Sequence, residues 1–271
     1  MQYWQNIYSQ FDPVAFNIGS VAVHWYGIMY ALALLSAIVV AKWFIKHDKL
    51  KISNDLFDSY IWWAEIGVIL GARLGYILFY DTNTMYYVTK PWQIFNPFYN
   101  GVYVGISGMS YHGAFIGFLI ASFLFCRKNR ISFWFLADIA VLGISAGYVF
   151  GRFGNFFNQE LIGRETDVPW GILVENTLRH PSQLYEAFLE GILIFFILFI
   201  IRNKKSFDGQ LALIYGILYS IMRIIAEFFR EPDIQIGFLY GDWLTMGMLI
   251  SGIFAVLSFA ILIFMKKKSI N

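Results

Sequence analysis

The sequence predicts an all-α, polytopic membrane protein of about seven transmembrane helices, and three observations carry that prediction. Hydrophobic residues fill 58% of the 271 positions and charged residues only 14%, whereas a soluble domain needs about a quarter of its residues charged to cover its surface. Apolar stretches recur at about 17 to 25 residues, the length of helix that crosses a hydrocarbon layer. Uninterrupted runs such as Gly191 to Ile201 lack the alternation of a β-barrel strand between lipid and lumen.

In order, the expected spans are Val23 to Ile45, Phe57 to Tyr80, Met109 to Phe125, Phe133 to Phe150, Gln183 to Ile201, Leu211 to Phe229 and Leu244 to Met265. Glu65 and Arg73 soften the second, glycines precede the third, and Glu186 and Glu190 lie in the fifth. The start of the chain has no basic region before an apolar run, so it does not read as a cleaved signal peptide. One cysteine, Cys126, permits no intrachain disulfide, and no Cys/His spacing suits zinc.

Net charge is +2, too balanced to point to a nucleic-acid partner, but its distribution is informative. Thirteen of the 20 basic residues follow spans one, three, five and seven: Lys42, Lys46, Lys49 and Lys51; Arg127, Lys128 and Arg130; Arg202, Lys204 and Lys205; Lys266, Lys267 and Lys268. Positive charge marks the cytoplasmic side, which places the N-terminus outside and the C-terminus in the cytoplasm. The chain then reads as a single integral membrane domain, residues 1–271, with short outer-side loops at 81–108, 151–182 and 229–242. The first loop is aromatic and suits a short interfacial helix or re-entrant piece.

The remaining basic residues are Arg73, Lys90, Arg152, Arg164, Arg179, Arg223 and Arg230. Six of the seven are Arg, whose planar fork suits phosphate or carboxylate better than Lys does. Glycines repeat every four residues at Gly67, Gly71 and Gly75 and at Gly143, Gly147 and Gly151, a stripe that lets helix backbones approach in lipid.

Four polar groups exceed what packing needs. His24 to Gly27 opens span one and includes Tyr26, with an interfacial aromatic anchor as the plainer reading. Gly105 to Gly113 brings Tyr111 and His112 to the start of span three behind flexible glycines; the imidazole can exchange a proton near neutrality, or simply bond a neighbouring helix. Gly151 to Glu160 places Arg152 and Asn155 on one face if the helix continues. There Gly154 allows a ligand to approach, and Glu160 is a possible base or Arg partner. Arg223, Glu227 and Arg230, spaced by four and three, form one charged face, or else a structural ion-pair ladder. His180 to Glu186 adds a helix start at Pro181 and a histidine able to touch a headgroup or serve as a cap. No metal-ligand cluster, P-loop or dinucleotide fingerprint occurs. An anionic lipid headgroup fits a basic pocket crowded toward one side, and a transporter or channel is the competing class because it needs a path to both faces.

These segments resemble the prolipoprotein diacylglyceryl transferases of bacterial plasma membranes. The likeness is carried by Trp25-Tyr26-Gly27, Tyr111-His112-Gly113, the run Gly151 to Glu160, His180 to Glu186, and Arg223 to Arg230 followed by Glu231-Pro232-Asp233. Ala114 stands where that family usually has a second glycine after the histidine. The resemblance implies transfer of the diacylglyceryl group of phosphatidylglycerol to the lipobox cysteine thiol of a prolipoprotein, giving a thioether and glycerol phosphate. It also implies an inner-membrane site on the outer side, a lateral opening between spans, and no metal or other cofactor. Two demands follow: removal of the thiol proton, by His112 with Glu160 and a Tyr as rivals, and donors around phosphate, from Arg152 and one or both of Arg223 and Arg230. Tyr26, Tyr111, Asn155, Gly154, His180 and Glu227 are expected to bind or orient substrate.

Overall fold

Seven long helices organise the computed structural model, which describes residues 2–10, 12–19, 21–99, 101–103, 105, 108–232 and 237–270. They are α1 (Trp25–His47), α2 (Asn54–Phe79), α3 (Tyr111–Asn129), α4 (Phe133–Phe157), α5 (Ser182–Lys204), α6 (Gln210–Glu227) and α7 (Met246–Ile270). All but α3, six in number, are long and apolar enough to cross a membrane. The apolar stretch of α3 is shortened by Tyr111 and His112 at its start and by Arg127 and Lys128 at its end. Ile106, Ser107 and Asp233, which belong to two of the sequence motifs, lie outside the described residues.

The chain divides into two compact units. In the unit Lys51–Phe133, Ser53 and Ser110 cap α2 and α3, accepting from the backbone N–H of Leu56 and Gly113 at 3.2 Å each, a contact typically worth about 1 kcal/mol. The glycine stripe of α2 meets a reciprocal one on α3. A Cβ on Gly67 would lie 2.5 Å from Ala121 Cβ, one on Gly71 2.8 Å from Gly117 Cα, and one on Gly75 2.7 Å from Gly113 Cα. Arg73 is buried; its Nε donates to the Ile94 carbonyl at 2.5 Å and its Nη1 to that of Gly108 at 3.1 Å, so it ties the segment after α2 to that helix. That segment holds a short helix, Thr84–Thr89, and a two-stranded pair, β3 (Phe98–Tyr99) with β4 (Val102–Tyr103).

The other unit, residues 1–50 and 134–271, holds the remaining five helices. Phe44, Val141, Leu142, Ile194, Leu198 and Leu211 form its core, and a smaller cluster of Tyr8, Phe156 and Ile172 forms another. Gly143 and Gly147 each let the α1 backbone close in, a Cβ there lying 2.6 Å from the carbonyl of Ala37 or Ala33. Gly151, the third of that series, has nothing within 4 Å of such a Cβ, so the packing stripe stops at Gly147. Asp138 of α4 is buried and caps the neighbouring α6, accepting from Gly209 N–H at 2.9 Å, Ala212 N–H at 3.0 Å and Lys205 Nζ at 2.9 Å.

Three differences from the sequence expectation matter for function. Helix α4 runs to Phe157, not Phe150, which puts Arg152, Gly154 and Asn155 inside a helix whose charges are compensated by other elements. Helix α6 stops at Glu227, so Arg230 does not share its face with Arg223; it lies in an isolated β-bridge to Gly163. The chain is mostly helical but adds antiparallel hairpins at β1 (Val14–Ile18) with β2 (Val21–His24) and at β5 (Ile172–Val174) with β6 (Thr177–Arg179).

Candidate active site

Because α4 continues past Gly151, Arg152 and Asn155 fall one turn apart, and Arg152 Nη1 donates to Asn155 Oδ1 at 3.0 Å. The Asn155 amide nitrogen donates in turn to Glu160 Oε1 at 2.7 Å, and the Asn158 amide nitrogen donates to Glu160 Oε2 at 3.2 Å. Glu160 therefore acts on Arg152 through Asn155, while its own backbone carbonyl accepts from Gln183 Nε2 at 2.5 Å. Gln183 is fully buried and also donates to the Tyr8 hydroxyl at 3.2 Å.

On the other side of Arg152 stands Glu186, fully buried at the first turn of α5. Its Oε2 lies 2.9 Å from Arg152 Nε and its Oε1 accepts from Arg223 Nη1 at 2.9 Å. One carboxylate thus joins arginines from α4 and α6. Arg223 is further held by Glu227, whose Oε2 is 2.7 Å from Nη2, and lies 3.7 Å from Glu190. Glu227 Oε1 accepts from Thr245 Oγ1 at 3.0 Å, and Gly247 gives that carboxylate room, since a Cβ there would sit 2.8 Å from Oε1. Glu186, Glu190, Arg223 and Glu227 are buried and Arg152 is half-buried, and each has an opposite charge or hydroxyl within reach, as burial in a low-dielectric interior requires.

Tyr26 lies in the first turn of α1 and borders this cluster from one side. A Cβ on Gly154 would meet Tyr26 Cδ2 at 3.4 Å and Met29 Cβ at 3.3 Å. Gly154 thus lets the first turn of α1 pack closely on α4. Arg230 is placed by its backbone, its carbonyl accepting from Arg164 Nε at 2.9 Å; Arg164 Nη2 also reaches the Glu227 carbonyl at 3.2 Å.

His180 follows β6, and its Nδ1 lies 3.1 Å from the Tyr185 hydroxyl, which accepts from Trp170 Nε1 at 2.7 Å. That leaves the hydroxyl hydrogen for Nδ1, an arrangement suited to neutral imidazole. Partial burial pushes the His180 pKa below its ordinary value, against an opposing pull from Asp167. Nδ1 thus ties His180 to the start of α5 through Tyr185. Tyr111 and His112 belong to the unit Lys51–Phe133. Both are exposed, on the first turn of α3, with rings edge-to-face at 5.8 Å.

The sequence places Arg152, Asn155 and Glu160 in one segment and Arg223, Glu227 and Arg230 in another, with His112 and Arg230 among the expected catalytic residues; hydrogen bonds and ion pairs link Arg152, Asn155, Glu160, Arg223 and Glu227 in the structure. Sequence reasoning missed Glu186, Glu190 and Tyr148 as their partners. Two carboxylates four residues apart within an apolar span were the available signal, because a charge at that depth needs an opposite one.

A family profile described as Prolipoprotein diacylglyceryl transferase matches residues 13–264. The chain is 77% identical over 257 residues to a protein of Aliarcobacter butzleri, covering 95% of this chain and 94% of that one. It is 57% identical over 272 positions to one from Campylobacter jejuni, covering both chains in full. Against a Campylobacter hominis protein identity is 58% over 269 residues, covering 99% and 96%. All three relatives carry the name phosphatidylglycerol--prolipoprotein diacylglyceryl transferase. A match that takes in α1 through most of α7, and with them every residue of the charged cluster, is not a shared motif on an unrelated scaffold: the chain belongs to the prolipoprotein diacylglyceryl transferase family.

Proposed function

We propose that this chain transfers the diacylglyceryl group of phosphatidylglycerol to the lipobox cysteine thiol of a prolipoprotein signal peptide, the first step of bacterial lipoprotein maturation. The observation that carries the reading, beside family membership, is the pair of arginines from different helices, one buried and one half-buried, joined by the buried Glu186. Such a pair offers fixed donors to a phosphate without the cost of gathering them during reaction.

In this reading the substrate sulfur attacks the glyceryl CH₂ attached to the phosphate oxygen. A carbon–sulfur bond forms, the carbon–oxygen bond breaks, and its electron pair leaves on the phosphate of glycerol phosphate. The phosphodiester carries one negative charge and the departing monoester two, so donors around it matter more as the bond breaks. Arg152 and Arg223 supply them, with Glu227 orienting Arg223, and Asn155 and Glu160 orienting Arg152. Arg223 is preferred to Arg230 because Glu186 couples it to Arg152. His112 accepts the thiol proton, and Tyr26 and Tyr111 help position the lipid. The nucleophile comes from the substrate, as Cys126 of this chain is buried in α3.

The same reading makes α3 a seventh span in a bacterial plasma membrane protein, with the N-terminus and the arginine cluster toward the outer side. Thirteen basic residues at alternate helix ends support it. The test is mass spectrometry of a lipobox peptide incubated with purified protein and phosphatidylglycerol in detergent. A thioether-linked mass increase is expected with phosphatidylglycerol, and little with an anionic phospholipid lacking the glycerol headgroup. No mass increase from folded protein would overturn the reading in favour of a lipid-binding or lipid-transporting protein.

A further inference from the structure

Helix α5 is not a regular helix. It begins as an α-helix at Ser182–Glu186, widens into a π-turn at Ala187–Leu193 and returns to α-helical form at Ile194–Ile201. A π-turn has poorer internal bonding than an α-turn and persists where its surroundings compensate, often at functional sites. Glu190 lies inside this one and is fully buried. So does Gly191, where a Cβ would lie 2.6 Å from Val149 Cγ2 and 3.5 Å from the Ser145 carbonyl oxygen. Glycine at that position lets α5 close on α4 at the turn that carries Tyr148.

The result is a short polar chain from Glu190 through Tyr148 to Arg152. The Tyr148 hydroxyl donates to Glu190 Oε2 and accepts from Arg152 Nε at 2.8 Å and Nη2 at 2.5 Å. A tyrosine hydroxyl has one hydrogen to give and two lone pairs to offer, so it is fully used. Because Glu190 takes the hydrogen, the lone pairs must face Arg152; without that acceptor the hydroxyl could turn its hydrogen toward the guanidinium and repel it. The guanidinium also lies over the Tyr148 ring, 4.8 Å from its centroid. Tyr148 and Asn155 together occupy three of the five guanidinium N–H groups, leaving one on each terminal nitrogen.

We propose that Tyr148 and Glu190 are positioning residues for the transfer: acting through Arg152, they fix its guanidinium plane so that the two remaining N–H groups meet the substrate phosphate. The inference rests on the phosphate role given to Arg152 above. Since the phosphate gains charge as the carbon–oxygen bond breaks, a guanidinium held in one orientation helps the transition state more than the bound lipid. The effect therefore falls on kcat more than on KM.

The test compares wild type, Tyr148→Phe, Glu190→Gln, Glu190→Leu and the Tyr148→Phe/Glu190→Leu double variant in detergent. It measures kcat and KM for phosphatidylglycerol with a lipobox peptide, alongside the yield of folded protein. Tyr148→Phe removes one oxygen atom and should lower kcat about tenfold with KM within about threefold. Glu190→Gln keeps an acceptor for the hydroxyl and should stay within about threefold of wild type, whereas Glu190→Leu should match Tyr148→Phe. The double variant should be no worse than the single ones, because both losses break the same connection. Wild-type kcat in Tyr148→Phe, equal losses in Glu190→Gln and Glu190→Leu, or losses that multiply in the double variant would overturn the proposal. Failure of the underlying reading shows differently, as full turnover by Arg152→Lys or an inactive wild type, and either removes the proposal's basis.

Discussion

Asn155 donates its side-chain amide to Glu160 Oε1 at 2.7 Å. Since Arg152 reaches the same Asn155 from its other side, the carboxylate helps hold the guanidinium by way of a neutral amide. Glu160→Gln keeps an acceptor for Asn155 but loses the charge that strengthens the bond. Its single-turnover rate at saturating lipid should fall about tenfold, the equivalent of about 1.4 kcal/mol, with affinity for phosphatidylglycerol within about threefold of wild type. Lipid binding measured separately from single-turnover rate decides this. A loss of about a thousandfold or more that also abolishes the pH dependence of the step would make Glu160 the base.

Arg152→Lys keeps the charge and loses the fork. A single ammonium cannot serve Asn155, Tyr148 and a phosphate at once from the positions that the guanidinium occupies, so turnover should drop about tenfold or more while membrane insertion is kept. Turnover close to wild type in purified protein would assign Arg152 to structure.

His112→Asn leaves a side chain able to hydrogen-bond but unable to accept a proton at neutral pH. The single-turnover rate should fall about a hundredfold or more, and lipid binding should be unchanged. A rate and pH profile matching wild type would exclude His112 as the acceptor of the thiol proton.

Topology is checked with single cysteines and a membrane-impermeant reagent on intact cells. Cysteines at Tyr86, Glu165 and Gly237 should label from outside, and those at Lys49, Arg130 and Lys205 only after the membrane is opened. Labelling at Lys205 from outside would invert the arrangement drawn from the basic residues.

Much of this was legible in the sequence, because a bilayer imposes one rule on every span. The long helices start and end close to the hydropathy boundaries, and α4 departs for a physical reason. Gly151, Arg152, Gly154 and Asn155 read as loop residues, since an isolated helix would not keep them. The helix holds there because Glu186 and Tyr148 satisfy Arg152, partners that lie far away or on the preceding turn. Glu186 and Glu190 were visible as charges in an apolar run, and their spacing of four could have been matched to the arginines left in other spans. Tyr148 carried no such signal among 17 tyrosines. The hairpins were hidden because their residues, Phe16 and Ile18 among them, are as apolar as a span and too few to form one. Arg230 was placed on a helical face by spacing alone, and spacing does not reveal that α6 ends at Glu227.

The glycine seam between α2 and α3 has a mechanical side. Where Gly67, Gly71 and Gly75 lie against Gly113, Gly117 and Ala121, main chain rests on main chain. Apart from the Ala121 methyl, which cannot rotate out of the way, no side chain stands between the two helices at those points to swing aside. A joint of that kind has no hinge and no soft filling, so the two helices shift as one plank. A seam that tight leaves no room for an acyl chain to pass between the two helices.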